Sequence, residues 1–234
     1  MRKSDRPLYS HLFRQQALPV MRFRFLAAVL LAGSALAQPA PRGTSDPYAG
    51  DLAIFEKPDR DAKLQTDRVM DLLGITAGSR VADIGAGSGW FSVRAARRVG
   101  KTGAVYAVEI NPAYLRYIKR RATTEKLANI RTILGRPGNP LLAKASVDAV
   151  MLLKTYHEVQ QPMALLRHVR EAMRPGARLA IIDRNGVGTD HGLNADVVIK
   201  EALEAGFTLV AQHDFVKSDD LDYFLIFQAA LPSL

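Results

Sequence analysis

Three glycines that directly follow a short apolar segment give the strongest chemical signal in the sequence. Val81–Ile84 contains one acid, Asp83, and is followed by Gly85, Gly87 and Gly89. Glycine has no Cβ, so it accepts positive φ angles and lets backbone N–H groups approach a bound molecule closely. Open α/β sheets place ligands at the carboxyl ends of their strands. We therefore expect Asp83 and the three glycines to contact a ligand.

The spacing of the glycines distinguishes between the classes of ligand that such a loop could bind. The dinucleotide fingerprint has glycines at relative positions one, three and six. Here they fall at one, three and five, and Trp90 stands at the sixth position. A phosphate-binding loop would continue into Gly-Lys-Ser/Thr, and this sequence does not. Both patterns are therefore disfavoured.

A second acid ends the next predicted strand. Glu109 follows Gly85 by 24 positions, close to the roughly 20-residue offset at which nucleotide-binding α/β folds place an acid for the ribose. A carboxylate can accept hydrogen bonds from both ribose hydroxyls. The alternative is a solvated acid in front of a helix, since Asn111-Pro112 follows it.

Taken in order, these motifs resemble class I S-adenosylmethionine-dependent methyltransferases. The acid and glycines of 83–89 and Glu109 carry the resemblance, together with 146–153, similar to the family's fourth strand, and 173–183, similar to its Pro-Gly turn and fifth strand. The similarity spans most of 59–228. It implies that S-adenosylmethionine is the cofactor, with Asp83 and the glycines binding its methionine portion and Glu109 its ribose.

The expected fold class is α/β, a Rossmann-like, seven-stranded, mostly parallel sheet with helices on both faces and an antiparallel C-terminal strand. Apolar segments that alternate with helical patterns indicate a parallel sheet. Strands are predicted near 80–84, 104–108, 130–134, 147–153, 178–183, 208–214 and 223–228. Helices are predicted near 59–73, 90–99, 112–127, 161–173 and 194–205. The resemblance implies the strand order 3-2-1-4-5-7-6.

The segment after the fourth strand holds the catalytic candidates, Tyr156 and His157. Methyl transfer is an in-line displacement that gains most from positioning, so a base is optional. The resemblance places the methyl group near this segment. There His157 could abstract a proton, Tyr156 could form a wall of the pocket and Glu158 could orient the imidazole. Alternatively, His157 hydrogen-bonds the backbone at the start of the next turn.

The fifth strand ends in a second group of polar residues. Asp183 ends the strand and either helps to form the pocket or is structural. His191 lies in the loop 185–192, which is predicted as a substrate lid or as a surface connection. No metal site is expected, because the chain has no cysteine and its histidines lack a spacing such as His-x-x-x-His.

The resemblance is incomplete where the family binds adenine. After the third strand the family usually has glycine followed by an acid, whereas this chain has Gly135-Arg136. Arginine only donates hydrogen bonds, so Asn139 or backbone carbonyls would have to accept from the adenine amino group. This departure keeps open an alternative function, an exported, non-catalytic ligand-binding protein on the same fold.

The acceptor is expected to be a small molecule. Methyltransferases that modify nitrogen atoms of nucleic acids place Asn/Asp-Pro-Pro-Tyr/Phe after the fourth strand, and this chain has Lys154-Thr155-Tyr156-His157 instead. The net charge is +9, but residues 1–37 contribute six basic residues against one acid. The remainder is only weakly basic, so no nucleic-acid partner is expected.

The N-terminal region resembles a secretory signal. Basic residues in 21–24 precede the 13-residue apolar stretch 25–37, which ends in Ala-Leu-Ala. We predict a signal peptide over 1–37, with Met21 as a possible true start, cleavage before Gln38 and a periplasmic or secreted protein without stable membrane insertion. Residues 38–58 are predicted to be a linker and 59–234 the methyltransferase domain. The sequence does not indicate an oligomeric state.

Overall fold

The structure is a computed structural model that describes residues 42–217 and 220–230. Within these residues seven strands occur: β1 (Arg80–Ile84), β2 (Ala104–Glu109), β3 (Ile130–Leu134), β4 (Val147–Leu153), β5 (Met173–Arg184), β6 (Phe207–His213) and β7 (Asp222–Ala229). Six helices accompany them: α1 (Arg60–Leu64), α2 (Thr66–Leu72), α3 (Trp90–Val99), α4 (Pro112–Thr124), α5 (Pro162–Ala172) and α6 (Ala195–Glu204). Two 3-10 turns span Leu52–Phe55 and Tyr156–Glu158.

The strands form one sheet of order β3-β2-β1-β4-β5-β7-β6. The pairs among β1 to β5 are parallel, and β7 is antiparallel to both of its neighbours. The expected fold class and strand order are therefore confirmed. The carboxyl ends of β1, β2 and β4 consequently lie side by side at one edge of the sheet.

Both faces of the sheet are covered by helices. Along β1, Ala82 and Ile84 belong to the apolar cluster that includes α5 and α6, whereas Val81 belongs to the cluster that includes α1, α2 and α3. Because the central strands are buried on both faces, they are continuous apolar runs. Asp83 stands in such a run as a buried acid, which marks the site.

Two elements differ from their predicted bounds. The single helix expected over 59–73 is divided by Gln65, which has a φ of 48° and donates from its side chain to the carbonyl of Phe215. The fifth strand begins at Met173 rather than near 178, since the backbone passes through Gly176 at a φ of 81° and the pairing with β4 shifts register there.

Only some of the predictions for the N-terminal region concern residues that the structure describes. The predicted signal peptide lies outside the described residues and stays a prediction, as does the domain boundary at 59. The described part of the predicted linker, residues 42–58 and here called the strap, contacts the domain: Ser45 donates to the carbonyl of Gly188, and the Tyr48 N–H donates to Glu158. The strap is therefore attached to the domain at particular residues, although most of its residues are exposed. Among the described residues, every helix is too short or too polar to cross a membrane.

Candidate active site

A cavity of about 570 Å³ opens at the carboxyl ends of β1, β2 and β4. Five of the predicted cofactor-binding residues line it: Asp83, Gly85, Gly87, Glu109 and Asn139. They come from β1, the loop after it, the end of β2 and the turn after β3. The topology thus brings together residues that are up to 56 positions apart in the sequence.

The glycine loop needs glycine for different reasons at different positions. Gly85, Gly87 and Gly89 all have positive φ angles, of 71°, 55° and 74°. A Cβ on Gly85 would overlap the side chain of Thr155, whereas one on Gly87 would only touch Phe55 of the strap, at 3.6 Å. Gly89 does not line the cavity; it precedes α3 and faces Ile118. The chain turns into α3 at Gly89, and direct cofactor contact at this glycine stays a prediction.

Glu109 is held by the backbone at the end of β2. One carboxylate oxygen accepts from the N–H of Gly87 at 3.1 Å, and the other accepts from Ile110 at 2.9 Å and Asn111 at 3.3 Å. An ionised carboxylate offers about four acceptor positions, so one remains open toward the cavity. Burial raises the pKa of Glu109, while these three N–H donors oppose the rise. Glu109 is thus a fixed, buried acid and not the solvated acid of the alternative interpretation.

Asp83 is the most deeply buried acid of the cavity wall. Its carboxylate accepts from the hydroxyl of Ser92 at 2.6 Å. The pKa of Asp83 is raised to about 6, because burial raises it more than the bond from Ser92 lowers it, and the nearby charge of Glu109 also raises it. A group with a raised pKa in the folded state costs stability once it must ionise.

Replacing Asp83 with asparagine should therefore stabilise the ligand-free protein above pH 7. Between about pH 4 and 6 the folded protein binds more protons than the unfolded chain, so the free energy of unfolding falls as the pH rises through this range. Above it, the ionised Asp83 costs about 3 kcal/mol of that free energy. The NH2 group of the new asparagine lacks a hydrogen-bond acceptor, so the net gain in the free energy of unfolding should be about 1–2 kcal/mol. Urea unfolding at pH 8 and pH 4 measures it. Asp67→Asn, at an exposed side chain, should change neither value; an equal gain at both pH values would contradict the assignment.

Arg60 is a half-buried cation of the cavity that the sequence did not reveal. It lines the cavity, its guanidinium lies 4.5 Å from the centre of the Trp90 ring, and it donates to the carbonyl of Phe55 at 2.7 Å. Burial lowers its pKa to about 10, while the charges of Glu56 and Asp83 oppose the fall. Its remaining donors make it a candidate for binding an anionic group.

The strap forms one wall of the cavity. Tyr48 and Phe55 line it and pack edge to face with ring centres 5.3 Å apart. Glu56 fastens this segment, because it accepts from the hydroxyl of Ser88 at 2.6 Å and pairs with Arg121. The strap therefore covers the glycine loop.

Asn139 lies on the cavity wall, but its amide is already engaged. Its oxygen accepts from the N–H of Leu141 at 2.8 Å, and its nitrogen is 3.2 Å from the ring of His168. Arg136 and Asn139 exchange backbone hydrogen bonds across a tight turn. Since an amide oxygen has a second lone pair, Asn139 can still accept one bond, and its role toward adenine stays a prediction.

Tyr156 does not form a wall of the cavity, so the role predicted for it was wrong. Its ring is fully buried in the apolar cluster around α5 and α6, and its hydroxyl donates to Glu201 at 2.7 Å. The reason is local: the chain leaves β4 through Lys154 at a φ of 55° and enters a 3-10 turn, which directs Glu158 to the cavity instead.

Tyr156→Phe should therefore affect stability and leave cofactor binding unchanged. Removal of one buried hydrogen bond to a carboxylate should cost about 1–2 kcal/mol of unfolding free energy. Arg42 still pairs with Glu201 at 3.0 Å, which limits the loss. Denaturant unfolding and calorimetric titration with S-adenosylhomocysteine would measure the two effects. A tenfold weaker affinity with unchanged stability would restore Tyr156 to the site.

His157 is held in place by Asp183. The Nδ1 atom lies 2.8 Å from one oxygen of Asp183, and Asp183 also accepts the backbone N–H groups of His157 and Arg184, both at 3.0 Å. A carboxylate that receives these donors acts as an acceptor, so Nδ1 carries a hydrogen, and in the neutral ring Nε2 has a lone pair. The ring of His157 is thus oriented by a carboxylate and not by the backbone bond of the alternative interpretation, and its role as a base stays a prediction.

The free nitrogen of His157 belongs to a polar cluster beside the cavity. Its Nε2 is 3.8 Å from Oε1 of Glu158, a cavity residue whose pKa is raised to about 7 by burial. One ligand atom each of His157, Glu158 and His191 lie within 4.8 Å of one another. His191 comes from the loop after β5. The structure thus brings together three donors that the spacing of histidines alone did not connect.

The comparison with known families identifies one that covers more than half of the chain. Residues 75–227 match the family described as "Methyltransferase domain". This range includes the glycine loop, Glu109 and the His157 cluster, while the strap precedes it.

Known relatives and solved structures are similar over part of the chain. A protein-L-isoaspartate O-methyltransferase of Methanothrix thermoacetophila is 28% identical over 47% of this chain and 50% of its own length. A demethylmenaquinone methyltransferase of Tropheryma whipplei is 31% identical over 48% and 44%. The chain thus spans about half the length of these relatives. The crystal structure of a SAM-dependent methyltransferase from Aquifex aeolicus has a TM-score of 0.69 at 21% identity, covering 76% of this chain and 98% of that one. That likeness shows the fold.

Proposed function

The chain belongs to the methyltransferase domain family, and on that premise we propose that it transfers a methyl group to a small molecule bound at the mouth of the cavity. S-adenosylmethionine is the cofactor. The observation that carries the proposal is that the open acceptor position of Glu109, the glycine loop and the cluster of His157 border one cavity. The residues proposed to bind the cofactor and those proposed to bind the methyl acceptor thus belong to one site.

The residues of the cavity fit this cofactor. A volume of about 570 Å³ lies in the usual range for small-molecule sites. Glu109 would accept a ribose hydroxyl at its open position, and a second hydroxyl could replace the long bond from Asn111. The half-buried guanidinium of Arg60 would bind the carboxylate of the methionine portion, opposite the backbone around Gly87. When bound, the cofactor supplies a methyl group on a positively charged sulfur.

The acceptor would bind between the strap and the segment after β4. Glu158 lines the cavity there, with the ring of His157 behind it. The His157 Nε2 lone pair would accept the hydrogen bond, or the proton, of an acceptor hydroxyl, while Asp183 keeps the ring in place. The strap residues Tyr48 and Phe55 enclose the site from above, which favours a small acceptor over a nucleic acid.

A labelling experiment tests the function. The purified chain would be incubated with S-adenosylmethionine that is labelled in its methyl group and with a pool of low-molecular-mass metabolites. We expect label in the small-molecule fraction, lost in Glu109→Ala and retained in Glu204→Gln, whose carboxylate is exposed. Cofactor binding without label in any fraction would favour the non-catalytic ligand-binding alternative. Label in added protein or nucleic acid would contradict the proposed acceptor class.

A further inference from the structure

The polar cluster beside the cavity has the composition of a metal site. It offers two imidazoles and one carboxylate, from His157, Glu158 and His191. Two histidines with one carboxylate form a known ligand set for zinc, and the remaining coordination position is left for water or substrate. Imidazole also suits other divalent transition metals, whereas Mg²⁺ prefers oxygen ligands alone.

The distances are close to those that a metal requires. Bonds of about 2.0–2.2 Å to a tetrahedral zinc ion bring ligand atoms to about 3.3–3.5 Å from one another. The Nε2 of His157 and the Oε1 of Glu158 are 3.8 Å apart, and all three ligand atoms lie within 4.8 Å. The side chains therefore need to move by only about 1 Å to reach this geometry.

The support around His157 is independent of these distances. Histidines that bind a metal almost always donate their other ring N–H to a carboxylate or carbonyl. Asp183 provides this bond, at 2.8 Å from Nδ1, and its side chain is fully buried. The ring is thereby held with Nε2 directed at Glu158.

The third ligand is positioned by the strap. The backbone N–H of His191 donates to the hydroxyl of Ser45 at 2.9 Å, and that hydroxyl donates to the carbonyl of Gly188 at 2.8 Å. His191 has a φ of 57°, a conformation that is uncommon outside glycine and that must be stabilised by its surroundings. The structure therefore holds the exposed His191 close to the ring of His157, at 6.0 Å between ring centres.

We infer that His157, Glu158 and His191 bind a divalent transition-metal ion such as Zn²⁺ at the edge of the cavity. Metal binding stands on this geometry alone, and its role rests on the proposed function. With the ion bound, the Nε2 lone pair of His157 would bind the metal instead of accepting directly from the acceptor hydroxyl. The open position of the ion would hold an oxygen atom of the acceptor, so that His157 would position the acceptor through the metal. The sequence did not predict this site, because its ligands come from two separate loops.

Titration of the tag-free full-length chain with Zn²⁺ tests the inference. We expect one equivalent to bind to the site, at least tenfold more weakly in Glu158→Gln and in His191→Ala. His213→Ala, at a histidine of β6 outside the cluster, should bind like the unchanged chain. Co²⁺ should give visible absorption bands that Zn²⁺ removes and that excess Mg²⁺ does not. Circular dichroism would establish that each variant is folded.

Two results of the Zn²⁺ titration would overturn the inference. Absence of saturable Zn²⁺ binding, or binding that is equal in the chain and both cluster variants, would exclude the site. Titration with S-adenosylhomocysteine on the same samples separates this failure from that of the proposed function, because Glu109 and Arg60 do not take part in the metal site. Cofactor binding without metal binding would remove only the inference.

Discussion

Replacing Glu109 with alanine should weaken the binding of S-adenosylhomocysteine by about 100-fold. The carboxylate is fixed by three backbone N–H groups and presents an open acceptor position to the cavity. Loss of a hydrogen bond to a charged group costs about 1.5–3 kcal/mol, and a 100-fold change in affinity corresponds to about 2.7 kcal/mol. Isothermal titration calorimetry on the purified chain measures the change.

Two further variants make this result specific. Glu109→Gln keeps one acceptor oxygen, so it should bind about tenfold more weakly than the unchanged chain. Glu204→Gln alters an exposed acid on α6 and should bind normally. Because the alanine variant also frees the N–H of Gly87, thermal unfolding should be measured in parallel. Equal affinity of the Glu109→Ala variant and the unchanged chain would exclude Glu109 from the cofactor site.

Replacing Gly85 with alanine should lower the free energy of unfolding by about 2–5 kcal/mol. Its φ of 71° disfavours any other residue by about 1–2 kcal/mol, and the new Cβ would overlap the side chain of Thr155. Overpacking of this kind typically adds about 1–3 kcal/mol. Thr155 also donates to the carbonyl of Gly85, so it is not free to move away. Equilibrium unfolding in urea measures the loss.

The matched control for this prediction is Gly74→Ala. Gly74 has a similar φ of 69°, and a Cβ there would have no neighbour within 4 Å. Only the backbone term applies, so the expected loss is about 1–2 kcal/mol. The difference between the two variants isolates the contact with Thr155. If both variants lost the same stability, the close packing of the glycine loop against the end of β4 would be refuted.

The sheet and the glycine loop could be predicted because their signals are local. The apolar run that ends at Asp83, the glycines at 85 and 87 and the acid at 109 each follow from conformational preference or burial at their own positions. Asn111, which accepts from the N–H of Ala113 at 2.9 Å, similarly marks the start of α4. Such features require no knowledge of distant parts of the chain.

The rest of the site depends on tertiary contacts that local patterns do not encode. The strap has the composition of a linker, yet Tyr48 and Phe55 enclose the cavity. Tyr156 was expected to line the cavity but is buried in the core, and Glu158 lines the cavity instead. The reason is that the positive φ of Lys154 ends the alternation of side chains along β4. The ring of His157 is supported by Asp183, 26 positions later. The sequence therefore predicted the part of the cavity at the ends of β1 and β2 better than the part formed by the strap and the segment after β4.

A crystal structure of the chain with S-adenosylhomocysteine would locate the cofactor directly. We expect the ligand in the cavity at the carboxyl ends of β1 and β2, with a ribose hydroxyl within hydrogen-bonding distance of Glu109 and the carboxylate end beside Arg60. Electron density for the ligand at another surface, or in this cavity with the ribose away from Glu109, would contradict this expectation.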